Sequence, residues 1–132
     1  MIITSASQKG GVTKSTASAA LAALFALRYR VALIDLDPEA FTTTMGLGLA
    51  ASTDPLHASP LAVPMPPAAS GQLLLFAGSA TIALADEQQL AQHIARAALS
   101  ADIVIVDTPP NGCSPAVVAA LRAATVVVVP VL

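Results

Sequence analysis

Tryptophan is absent, cysteine occurs once, aromatic side chains make up 3% of the 132 residues, and Lys and Arg together number 6. Each shortage excludes something. Cys113 has no partner for an internal disulfide and cannot alone supply a cysteine zinc site or hold an iron–sulfur cluster. It reads as a small buried hydrophobe. The cations Lys9, Lys14, Arg28, Arg30, Arg96 and Arg122, against a net charge of -2, form no broad basic face for nucleic acid. Long apolar runs are missing too, despite a mean hydropathy of +0.75. Arg28 and Arg30 close the first, and Arg122 and Pro130 break the stretch 116–132, so no uninterrupted span reaches about 18 residues. A membrane-spanning helix is excluded on that ground. The opening "MIITSASQKGG" has no basic head before its apolar run, unlike a signal peptide, and a cytoplasmic location is expected.

What is present points to a covered sheet. Hydrophobic residues make up 55% and charged ones 11%, a balance that suits an α/β structure with a parallel sheet buried on both faces, and the length suits one domain. "MIITSA" reads as a buried strand, followed by a glycine loop and a helix in "KSTASAALAALFALR". "VALIDLD" is a second strand ending in carboxylates. Strand, loop, helix, strand is a right-handed crossover that makes the strands parallel, with their C-terminal ends on one edge. The glycine loop, Asp35 and Asp37 therefore meet at that edge.

Between Ala51 and Gly71 five prolines interrupt any period, and the stretch reads as a long surface excursion. "QLLLFAG" is a third strand. "ADEQQLAQHIARAALS" is an amphipathic helix with Leu90, Ile94, Ala97 and Ala98 on one side, which leaves His93 on its flank; His57 lies in the loop. Neither histidine is assigned a chemical role. "ADIVIVD" repeats the second strand's pattern and ends on Asp107. "SPAVVAALRAA" is a short helix with Ser114 as N-cap and Pro115 at its first position, and "TVVVVPVL" reads as another buried parallel strand.

A loop between strand and helix turns several backbone N–H groups toward the positive end of the helix dipole, where phosphate oxygens can be wrapped. The phosphate-loop frame G-x-x-x-x-G-K-[ST] falls on Gln8 to Ser15, with Gln8 and Thr13 at the two glycine positions but Lys14 and Ser15 in place. Lys14 suits the β and γ phosphates, Ser15 a Mg2+ ion, and Asp107 is a carboxylate on the metal side. Clustered carboxylates repel a polyphosphate unless a divalent cation intervenes, so Mg2+ is implied along with ATP.

Together "KGGVTKST", "VALIDLDPE" and "ADIVIVDTPPN" resemble the ParA/MinD family of deviant Walker-A ATPases, and most of all its ParA branch, which partitions plasmids and chromosomes. The resemblance implies a SIMIBI-like P-loop NTPase fold, a parallel β-sheet with helices on both faces. It treats residues 1–132 as one P-loop ATPase domain, the N-terminal part of a longer one that lacks here the usual C-terminal strands and helices. It implies that Lys9, Gly10, Gly11, Val12, Thr13, Lys14, Ser15 and Thr16 contact the nucleotide. Lys9 reaches the phosphates of the partner in an ATP-bound sandwich homodimer, and Lys14 serves its own. Ser15 ligates Mg2+, with Asp35 and Asp107 holding the metal through water, while Asp37 positions the attacking water, so the catalytic set is Asp37, Lys14 and Lys9. Thr108 to Gly112 act as the switch that senses the γ-phosphate.

The same resemblance implies a ParB-like partition-site adaptor as partner, nucleoid association, nonspecific DNA contact only through a region absent from this chain, and no membrane role. Two alternatives stand beside it. One is an ATP-dependent ligase similar to dethiobiotin synthetase, which "DLDPE" disfavours. The other is a nucleotide-binding module without hydrolysis, since Thr13 replaces the usual glycine before Lys14 and a branched side chain there restricts the backbone.

Overall fold

The computed structural model describes residues 1–7, 12–38, 44, 46–110 and 113–130, with the backbone alone for residues 12 and 13. Among these residues six strands and three α-helices follow one another: β1 (Ile2–Ser5), α1 (Val12–Ala26), β2 (Arg30–Asp35), β3 (Leu61–Val63), β4 (Gln72–Phe76), α2 (Glu87–Ala98), β5 (Ile103–Asp107), α3 (Pro115–Ala123) and β6 (Val126–Val128). They form one sheet in the order β3-β4-β2-β5-β1-β6. All neighbouring pairs are parallel except β3 with β4.

Alternation along the central strands divides the core into two layers, because successive side chains leave a strand on opposite faces. Val31, Leu33, Ile103 and Ile105 pack with Ala22 and Ala26 of α1 on one face. Ala32, Ile34, Val104 and Val106 pack on the other with Leu90 and Ile94 of α2 and with Ala116, Ala119 and Ala120 of α3. With so few aromatics, alanine brings the helix axes close to the sheet, and the valine and isoleucine of β2 and β5 fill the space between. Helix α2 begins with a capping box: Asp86 accepts from the Gln89 amide at 2.8 Å and the Gln89 side chain accepts from the Asp86 amide at 3.0 Å. Such a cap contributes about 1 kcal/mol. Ser114 caps α3 by accepting from the Val117 amide at 3.3 Å, with Pro115 at the first helical position, as the sequence predicts.

Three expectations are corrected. The proline-rich excursion contains β3, a strand of 3 residues between Pro60 and Pro64, too short to show a period; it pairs antiparallel and makes the sheet mixed. β6 is parallel to β1, but it is not buried: Val126 is 44% and Val127 45% exposed, because among the described residues β6 is an edge strand with β1 as its one neighbour. His93 is not on a helix flank. It belongs to the stripe 90, 93, 94, 97 that faces the core, where its ring meets Phe76 edge-on at 5.7 Å. Among the described residues no helix is long and apolar enough to cross a membrane.

One glycine is set by close approach. The segment before β4 runs against the end of α1, where the Ser70 amide donates to the Leu27 carbonyl at 2.9 Å and the Gln72 amide to the Tyr29 carbonyl at 3.0 Å. A Cβ on Gly71, between them, would lie 2.3 Å from the carbonyl oxygens of both Ala26 and Tyr29.

Candidate functional site

The C-terminal ends of the three central strands carry the polar residues. Register aligns Ser5 of β1 with Asp107 of β5, and Asp107 with Asp35 of β2, so three polar side chains stand in a row across the sheet. Helix α1 follows β1 in the chain, and its first turn brings Lys14 and Ser15 onto that row; both are buried, and Thr16 is exposed.

Lys14 is the link between helix and strand end. Its Nζ donates to the Thr108 carbonyl and lies 3.9 Å from Asp107 Oδ1, with both side chains buried. The Lys14 carbonyl accepts from Ser18 Oγ at 3.1 Å, and Ser18 Oγ also lies 3.5 Å from Asp107 Oδ1. Thr108 Oγ1 donates to the Ser5 carbonyl at 2.7 Å, and the Leu36 amide to the Asp107 carbonyl at 2.9 Å. A buried ammonium and carboxylate so close hold one another's charge in a medium that solvates neither well.

Asp35 is buried beside Asp107. Burial pushes its carboxyl up to about 6; the Asp107 charge adds to the rise, while hydrogen bonds from Thr44 and the Asp37 amide oppose it. Oδ1 accepts from the Asp37 amide at 3.0 Å, and Oδ2 accepts from both the amide and the hydroxyl of Thr44. Asp37 itself is half-buried, next to Pro38. Beyond Pro38 a cleft of about 420 Å3 opens, walled by Pro38, Ile82, Ala85, Pro109, Cys113 and Pro115. Cys113 is exposed there and not the buried hydrophobe of the sequence reading, since it precedes the cap of α3 in a surface turn.

Thus Lys14, Ser15, Asp35, Asp37 and Asp107 converge on one edge, together with Thr108. Lys9, Gly10, Gly11, Asn111 and Gly112 lie outside the described residues, as do the side chains of Val12 and Thr13. Among the described residues no group of three or more His, Cys, Asp and Glu has the arrangement to hold a metal ion. Asp107 and Ser15 are oxygen donors of the kind a hard divalent cation takes, completed by phosphate and water oxygens rather than a closed protein cage, and Asp35 stands one strand over. His57 is exposed and pairs with Asp54 at 2.9 Å, and His93 packs under α2, so neither joins the site. Sequence reasoning missed Ser5, Ser18 and Thr44. The last sits in a run of three threonines, and nothing in the spacing singles it out.

Residues 3–125 match the family described as the CobQ/CobB/MinD/ParA nucleotide binding domain. The chain is 39% identical over 144 residues to the chromosome-partitioning ATPase Soj of Thermus thermophilus, an alignment that covers 96% of this chain and 52% of Soj. Among solved structures it resembles a putative plasmid partition protein of Borrelia burgdorferi bound to AMPPNP, with 25% identity and a TM-score of 0.74 over 98% of this chain and 61% of that one. It also resembles cobyrinic acid a,c-diamide synthase of Mycobacterium smegmatis with bound ATP analogue and magnesium, with 28% identity and a TM-score of 0.79 over 98% of this chain and 57% of that one. The chain thus spans about half the length of the curated relative it matches. By sequence, by fold and by the residues at its sheet edge, the chain belongs to the CobQ/CobB/MinD/ParA family of nucleotide-binding domains.

Proposed function

We propose that this chain is the nucleotide-binding part of a ParA-like ATPase in plasmid or chromosome partitioning, in which Mg2+ and ATP drive a sandwich homodimer and slow hydrolysis resets it. The observation that carries this reading is the meeting of Lys14, Asp107 and Thr108: a cation at the start of the loop helix, a carboxylate at the end of β5 and the first residue of the expected switch in one buried cluster. Lys14 would bind the β and γ phosphates. Ser15 and Asp107 would face a Mg2+ ion, which supplies positive charge to the phosphate oxygens. Asp37, beside the cleft, would orient the attacking water, and Lys9 would complete the partner's site, making ATP part of the interface. A ParB-like adaptor is the partner this cycle calls for.

A second reading is supported by the apolar cleft beside Asp37 and by the likeness to cobyrinic acid a,c-diamide synthase: an ATP-dependent ligase that takes a small substrate there. The deciding experiment is the mass in solution with Mg2+-ATP, with Mg2+-ADP and without nucleotide, for the protein and for Lys9→Ala and Lys14→Ala. The partition reading expects a dimer with ATP alone, lost in both variants. A mass indifferent to nucleotide refutes it.

A further inference from the structure

Three segments converge on Asp35, and Thr44 joins them. The carboxylate stands at the end of β2, the Asp37 amide two residues on, and Thr44 seven residues further along the chain. The hydroxyl of Thr44 also accepts from the Gly78 amide at 3.1 Å, just after β4. A hydroxyl has one proton, and Gly78 donates to it, so that proton is committed to Asp35 Oδ2. Gly78 has no room for a side chain: a Cβ would lie 2.8 Å from the Asp35 carbonyl oxygen and 3.1 Å from its Cγ. Asp35 and Thr44 are both buried, and the three donors to Asp35 occupy both carboxylate oxygens.

We propose that Thr44 and Asp35 form a clasp that fixes the segment carrying Asp37 to the ends of β2 and β4, so that Asp35 and Thr44 are positioning residues for Asp37 and Asp35 is not part of the metal's coordination, directly or through water. The proposal rests on the reading of Asp37 given above for its effect on turnover, but the clasp itself does not. Three of the carboxylate's roughly four acceptor sites are taken by protein donors, and it is Asp107, one strand over, that borders Lys14. An acidic residue suits this place, because an acceptor-only group receives two amides and a hydroxyl at once.

Thr44→Val keeps the branched shape and removes the hydroxyl; Thr44→Ser keeps the hydroxyl. Amide hydrogen exchange in the nucleotide-free protein should quicken roughly tenfold at Asp37 and Gly78 in Thr44→Val, stay near wild type in Thr44→Ser, and leave β5 and α2 unchanged. Unchanged exchange at Asp37 and Gly78 overturns the clasp, and so does a rise spread over the whole chain, which is general loosening. With Mg2+-ATP, Thr44→Val and Asp35→Asn should each lose roughly tenfold or more in kcat, with KM and the Mg2+ requirement unchanged and Thr44→Ser close to wild type. An increased Mg2+ requirement in Asp35→Asn but not in Thr44→Val would make Asp35 part of the metal's coordination and refute the assignment. A wild-type chain that does not bind Mg2+-ATP would refute the proposed function, and the exchange measurement would still decide the clasp.

Discussion

Acid should weaken this fold through one imidazole. His93 lies in the apolar stripe of α2, and burial lowers its pKa from 6.5 to about 4, with the nearby charges of Arg96 and His57 adding to the fall. Arg96 Nη2 donates to His93 Nδ1 at 3.0 Å, which assigns the proton of the neutral ring to Nε2, and Nε2 has no hydrogen-bond partner among the described residues. The folded state thus holds His93 neutral while the unfolded chain protonates it below about 6.5. Its contribution is complete above pH 6.5 and is lost as the pH falls toward 4. At about 1.4 kcal/mol per unit, the gap is worth about 3 kcal/mol in all and about 2 kcal/mol by pH 5. Asp35, raised to about 6, acts in the opposite sense: its burial cost grows as pH rises from 3.8, so acid relieves it. The two trends mask one another in the wild type, and a difference between variants separates them. Urea unfolding of the wild type and of His93→Leu at pH 7 and pH 5 is the assay. Leucine removes the orphaned N–H and the titration together, while the exposed Arg96 can turn to water. The wild type should lose about 2 kcal/mol relative to His93→Leu between the two pH values. A difference that stays flat refutes the argument.

Gly71→Ala should cost about 3 kcal/mol or more, read as a lower urea midpoint, because the new methyl meets the backbone of Ala26 and Tyr29 on both sides. Cys113, exposed at the cleft, should react with a maleimide in the native protein within roughly tenfold of its rate in urea; strong protection would contradict its position in the turn before α3. Lys14→Met should weaken ATP binding by roughly 10- to 100-fold in a titration with a fluorescent analogue, the range expected for losing a charged hydrogen bond. Undiminished affinity would remove Lys14 from the phosphate site.

Much of the fold could be read because it rests on local chemistry. The apolar runs of β2 and β5 end on carboxylates, and Ser114-Pro115 announces a helix start, so strands, order and the common edge follow from short windows. β3 could not be read: it exists because β4 offers an edge, and 3 residues between prolines carry no signal of their own. The position of His93 was concealed by its polarity, although its spacing from Leu90, Ile94 and Ala97 belongs to the core stripe. In the site, Lys14, Ser15 and Asp107 are marked by motif. Thr44 and Gly78 are not, since their importance arises from three distant segments meeting, which no window of sequence contains.

The bond between Lys14 and the Thr108 carbonyl has an effect beyond holding two elements together. One ammonium cannot serve that carbonyl and an incoming phosphate with the same protons, so any ligand that draws Lys14 away must first outcompete Thr108 and Asp107. Such an exchange would reduce the attraction for the ligand, and Thr108 would lose a tether as Lys14 turned away. A single side chain would then turn occupancy beside α1 into a change of restraint on the exit of β5.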